Sequence, residues 1–197
     1  TMTYDTVSYE VCITEILPDH GAIMGGRPSP IQSRRDCEAY PWTDLPRLFW
    51  ERAAPRFQAL AASLPPGMKA VGGIGNGVFE ISEDLVGFEY LPLMAADDPA
   101  LFAAVFRRIG DLMVNQWTTF IDHHRAAYAI CRFGDDLGFK TSLLTSPQVF
   151  REHILPDQLD NLSLSFLVDS MKKQRGGCAA NIAFNLAMLG ERPRVMA

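Results

Sequence analysis

Met68-Lys69-Ala70-Val71-Gly72-Gly73-Ile74-Gly75-Asn76-Gly77 decides the fold. Met68 to Gly73 is a short apolar run behind the breaker Pro65-Pro66-Gly67, and reads as a buried parallel strand. The glycines after it read as a loop, and the residues from about Phe79 to Val86 as a helix. A strand feeding a helix through a glycine-rich turn is the repeating unit of a parallel α/β sheet.

The pattern extends in both directions. Downstream, Asp98-Pro99 opens the clearest helix, with Leu101, Val105, Ile109, Leu112 and Met113 on one face and proline at the first helical position. Tyr128 to Phe133 reads as a second buried strand, ending in Gly134-Asp135-Asp136-Leu137-Gly138. Ser146-Pro147 then offers a serine cap and a first-turn proline for another helix. Upstream, residues 4–16 alternate as a strand or hairpin arm would, and His20 to Ser33 reads as loop. Ser33-Arg34-Arg35-Asp36 starts a short helix that Tyr40-Pro41-Trp42 stops. Asp44 to Leu64 is helical in period, with Pro55 expected to kink or split it.

Composition narrows the class. The chain has 197 residues, 48% of them hydrophobic and 21% charged, with a net charge of −5. An acidic balance argues against nucleic-acid and anionic-membrane partners, which need a basic footprint. No stretch nears the roughly 18 apolar residues of a membrane span. The four cysteines are far apart and lack zinc spacing, so neither a metal nor a disulfide framework is expected. A cytoplasmic chain with reduced thiols is the expectation.

Two loops could carry chemistry. Gly75, Asn76 and Phe79 follow the first strand, where glycine lets backbone approach a ligand closely. The spacing is not that of a dinucleotide fingerprint. Asp135 and Asp136 follow the second strand. Paired carboxylates there could share a proton and act as general acid and base, or bind a cation, with Lys140 as an anion partner. His123 and His124 are adjacent on a helix, face different ways, and read as solvated helix-end residues. Gly176-Gly177-Cys178-Ala179-Ala180-Asn181 is a diglycine opening a helix, with Asn181 one turn in.

Residues from about 27 to 156 resemble the uroporphyrinogen decarboxylase superfamily. The segments that carry this are Pro30-Ile31-Gln32-Ser33-Arg34 with Tyr40-Pro41-Trp42, Gly73 through Glu80, and Leu85-Val86-Gly87-Phe88-Glu89. Most specific is Phe133-Gly134-Asp135-Asp136-Leu137-Gly138-Phe139-Lys140-Thr141, leading through Ser146-Pro147 to Phe150-Arg151. The resemblance implies a (β/α)8 TIM-barrel fold. It also implies a lyase that decarboxylates the acetate arms of a tetrapyrrole without a cofactor, or a methyltransferase that serves cobalamin and thiols with zinc. Residues from about 150 to 197 resemble the start of ribokinase-like (PfkB-type) carbohydrate and adenosine kinases. His153-Ile154-Leu155-Pro156-Asp157, Ser165 through Ser170 and the diglycine helix carry that likeness. It implies that Gly176, Gly177 and Asn181 hold a sugar or ribose.

The sequence therefore leads to three expectations. The first is an α/β chain with an incomplete (β/α)8 barrel-like region at 1–156 and a strand-helix appendage of ribokinase-like type at 157–197. Its function is uroporphyrinogen decarboxylase-like, with Asp135 and Asp136 catalytic and Gly75, Asn76, Phe79 and Lys140 binding a small-molecule substrate. No cofactor is expected. The second is a carbohydrate or adenosine kinase fragment, without kinase activity by itself. The third is a composite or truncated product with no activity. An unclosed parallel sheet further implies a marginally stable or self-associating chain.

Overall fold

A computed structural model describes residues 5–17, 29–137 and 146–154, all within the first of the chain's two compact units, Thr1–Ser163. The expectations for 157–197 and for Lys140 lie outside the described residues, as does most of the 20–33 loop.

The architecture is α/β. Strand β1 (Asp5–Cys12) leads through a 3-10 turn, Ile13–Ile16, to helices α1 (Arg34–Ala39) and α2 (Leu45–Ser63). Strand β2 (Met68–Gly75) is followed by α3 (Val78–Val86), α4 (Tyr90–Asp97) and α5 (Pro99–His124). Strand β3 (Tyr128–Cys131) and the short α6 (Pro147–Val149), continued by a π-type turn over Phe150–Ile154, complete the described part. The strands lie in the order β1-β2-β3, with both pairings parallel. Val11 stands opposite Ile74, and Ala70 opposite Tyr128. The described sheet has three strands, is open, and does not close into a barrel.

The local signals explain most boundaries. The Ser33 hydroxyl accepts a bond from the Asp36 amide at the start of α1, and the Asp98 carboxylate accepts one from the Leu101 amide at 2.9 Å at the start of α5. Each satisfies an amide that the helix itself leaves unpaired. Leu45, Phe49, Ala53 and Phe57 recur every fourth residue and make the buried stripe of α2. Pro55 does not split that helix, because it falls on the exposed side, where water can satisfy the carbonyl it frees. On α5, Leu101, Val105, Ile109, Leu112 and Met113 are buried as their spacing predicts. Phe57, Phe120 and Tyr128 meet edge to face, with ring centroids 5.0 to 5.1 Å apart along the chain of contacts, and tie α2, α5 and β3 together.

Three further expectations change. β2 does not end at Gly73 but runs on to Gly75, so the turn is only Asn76-Gly77. β3 is shorter than Tyr128–Phe133, and only its first residue, Tyr128, is buried: Ala129 is exposed and Ile130 is 59% exposed. An apolar run does not show whether neighbours cover both faces, and here β3 is an edge of the described sheet. His123 is exposed as expected, but His124 is half-buried. It stacks on Trp50 at 5.5 Å and packs on Phe57, and burial, with the neighbouring His123 next, lowers its pKa. Desolvation outweighs the attraction of the helix C-terminus for a charged imidazole.

Among the described residues no helix is long and apolar enough to cross a membrane.

Candidate functional site

The C-terminal ends of all three strands gather side chains with chemistry. β1 delivers Cys12 and Thr14, β2 delivers Asn76 and Gly77, and the chain after β3 delivers Asp135 and Asp136. Parallel α/β sheets bind ligands at this end, where the loops are free of the helix layer.

Asn76 has a left-handed backbone, φ 70°. Its side-chain oxygen accepts from the Thr14 amide at 3.3 Å and from the Thr14 hydroxyl at 3.0 Å. Asn76 therefore fastens the end of β1 to the end of β2. Gly75 lies against the Cys12 thiol: a Cβ at 75 would stand 2.6 Å from Sγ. Burial first, then nearby carboxylates, push that thiol above its ordinary pKa, so Cys12 is a poor nucleophile near neutral pH.

Asp135 occupies the N-terminus of α3. Its two carboxylate oxygens accept from the Phe79 amide at 2.9 Å and the Glu80 amide at 3.0 Å. The Glu80 carboxylate turns back to the Gly77 amide at 2.8 Å. Gly77 allows this closeness, since a Cβ there would come within 2.0 Å of the Asp135 carboxyl carbon. The helix start that could have cradled a phosphate is thus filled by the protein's own carboxylate. Burial raises the Asp135 pKa to about 6, although the two amides pull it down.

Glu83, one turn beyond Glu80 on α3, is buried at 7% exposure beside Asp84 at 6%. Its Oε1 has no hydrogen-bond partner. Burial, followed by the charges of Asp136 and Asp135, raises its pKa to about 7. Glu83 thus exchanges its proton around neutrality, as a general acid must.

Of the residues expected from the sequence, Gly75, Asn76, Asp135 and Asp136 meet at this end. Phe79 contributes its amide. Its ring turns away into the helix layer, where it lines an apolar cavity of about 430 Å³ with Phe88, Leu91 and Phe102. Lys140, Gly176, Gly177 and Asn181 lie outside the described residues. Asp135 is a positioning group, while Asp136 is exposed. Glu80 and Glu83 are the residues that local reading misses. The available signal was a nine-residue helix with apolar residues at Val78, Phe79, Ile81, Leu85 and Val86, which leaves its acids little exposed surface.

Among the described residues no group of three His, Cys, Asp or Glu side chains is placed to hold a metal ion. No family model matches the chain, and no solved structure matches it.

Proposed function

We propose that the chain is uroporphyrinogen decarboxylase-like, its described part being strand–helix units of a (β/α)8 barrel. In this reading its substrate site lies at the strand ends around Asn76, Glu83, Asp135 and Asp136. The supporting observation is Glu83, a carboxyl 7% exposed whose Oε1 has no hydrogen-bond partner; burial, then the charges of Asp136 and Asp135, push its pKa up to about 7. The parallel order β1-β2-β3 is the order in which barrel strands follow one another.

The chemistry requires a proton and no cofactor. The bond from substrate carbon to carboxylate breaks, carbon dioxide leaves, and the electron pair stays on the carbon. That carbon takes the proton of Glu83, which is left as a carboxylate and is re-protonated from solvent past Asp136. Asp135 holds the α3 start, and so holds Glu80 and Glu83 at fixed height above the sheet.

The test is release of carbon dioxide from uroporphyrinogen and from a panel of small amino and carboxylic acids. Glu83→Gln, which keeps the shape and removes the proton, should lower the rate by about a hundredfold or more, as loss of a general acid does. No release above the uncatalysed rate, or an unchanged rate in the variant, would contradict the reading.

A further inference from the structure

We infer that the His124 imidazole is an acid-released latch: neutral, it clamps the end of α5 to Trp50 of α2, and protonated, it swings out and uncovers that tryptophan. The latch lies at the opposite end of the sheet from the strand-end acids, where α5 turns into β3, and does not depend on their role.

Three observations carry the inference. First, ring contacts alone hold His124. Its plane lies 16° from that of Trp50 at 5.5 Å, and it meets Phe57 at 5.2 Å and Phe120 at 6.2 Å. Phe57 and Phe120 in turn pack on Tyr128. One cluster of rings thus joins α2, the last turns of α5 and the first residue of β3. Of these rings only an imidazole gains a charge in mildly acidic water.

Second, nothing around His124 welcomes that charge. Among the described residues its side chain makes no hydrogen bond and no ion pair. From α2 it meets Trp50 and Phe57, and Glu51, next to Trp50, is engaged by Arg47 at 2.6 Å. From α5 it meets Phe120 and the basic His123; Asp122, two residues back, faces another way. The turn into β3 carries Arg125, and Lys69 of β2 donates to the Ala126 carbonyl in that turn. From β3 comes Tyr128, whose hydroxyl donates to the Tyr9 carbonyl. Burial, then the charge of His123, lowers the His124 pKa. Both outweigh the attraction of the indole face and of the helix C-terminus for a cation.

Third, the charged ring has a place to go. A cavity of about 510 Å³ adjoins it, lined also by Trp50, Ala54, Gln58, Thr119 and His123. A side-chain rotation into this cavity hydrates the imidazolium and breaks its contact with Trp50.

The sign of the pH dependence follows. The neutral latch supports folding fully above the ordinary histidine value of 6.5, and that support is lost as the pH falls, because the unfolded chain takes the proton more readily. Glu83 acts in the opposite sense, its support being lost as the pH rises, so the two effects separate.

The experiment follows the full chain from about pH 8 to about pH 5 with two readouts. One is the NMR signal of the His124 ring, displaced by the Trp50 ring against it and identified by its absence in His124→Phe. The other is tryptophan fluorescence, with Trp50→Phe isolating the Trp50 component. The expected His124 midpoint lies below 6.5, and the displacement collapses with protonation. Trp50 emission shifts to the red with the same midpoint. His124→Phe, which keeps a ring and takes no proton, loses that shift. His123→Gln, an exposed change, keeps the shift and moves it to higher pH, because a neighbouring charge is gone.

A His124 midpoint at or above 6.5 would overturn the inference. A ring that stays stacked when protonated would do the same, as would a red shift that persists in His124→Phe or vanishes in His123→Gln. Should His124→Phe fail to fold, His124→Gln identifies the signal and the wild-type titration decides.

Discussion

Glu83→Gln should make the protein more stable than the wild type at about pH 8, by about 2 to 3 kcal/mol, and should change little at about pH 4 to 5. The sign follows from the direction of the shift. The Glu83 pKa rises from 4.5 to about 7 on folding. A carboxyl raised in the folded state supports folding fully below its unfolded pKa, while it is protonated in both states. That support is lost as the pH climbs through 7, because the unfolded chain gives up the proton more readily. Glutamine stays neutral at every pH and escapes the loss. At 7% exposure Glu83 is little screened by solvent, so most of the effect should survive in solution. Urea denaturation of both proteins across this pH range measures it. Stability curves that run parallel would mean that Glu83 titrates like an exposed glutamate.

Gly72→Ala should cost about 4 kcal/mol, a large share of the 5 to 15 kcal/mol that holds a typical domain together. Two penalties add at this residue. Gly72 has φ 132°, a conformation that residues with a side chain avoid. An added Cβ would also stand 2.5 Å from the Tyr9 carbonyl oxygen, which belongs to the backbone of the neighbouring strand. That oxygen cannot withdraw without disturbing the register in which Tyr9 faces Gly72. The Glu10 side chain would meet the same Cβ at 2.7 Å, on its way to the Arg132 guanidinium just after β3. Gly72 is thus where an ion pair crosses the central strand. Gly134→Ala is the contrast, since nothing lies within 4 Å of a Cβ there, and it should change stability by less than about 0.5 kcal/mol. Denaturant midpoints compare the two. A Gly72→Ala protein as stable as Gly134→Ala would contradict the register and the close strand approach.

The parts of the fold legible in the sequence are those with a local cause. Ser33 and Asp98 cap the helices they precede, and the α5 stripe from Leu101 to Met113 is buried at its expected period. The run at Met68 makes the middle strand. What escaped depends on neighbours distant in sequence. Helix α4 buries only Leu91 and Met94, carries Pro92 in its first turn and leaves Leu93 55% exposed, so its period is faint. β3 looks like an interior strand until the sheet shows it at an edge. The glycines were legible as sites of close approach, but what approaches is Tyr9, Cys12, Trp117 and Asp135 of the chain itself.

The site divides in the same way. Its location at the strand ends could be read from Asn76 and Asp135, because both follow apolar runs. Their roles could not. Asn76 is engaged by Thr14, 62 residues away, and Asp135 by amides 55 and 56 residues away. The acid with the proton near neutrality, Glu83, is set by burial under residues from separate segments, which no window of sequence contains.

The central claim is that a buried carboxyl at the strand ends holds a proton near neutral pH. Carbon-13 NMR titration of the side-chain carboxyls tests it most directly, with the Glu83 signal identified by its absence in Glu83→Gln. The expected midpoint is about 7 for Glu83 and about 6 for Asp135. A Glu83 midpoint near the ordinary value of 4.5 would contradict it.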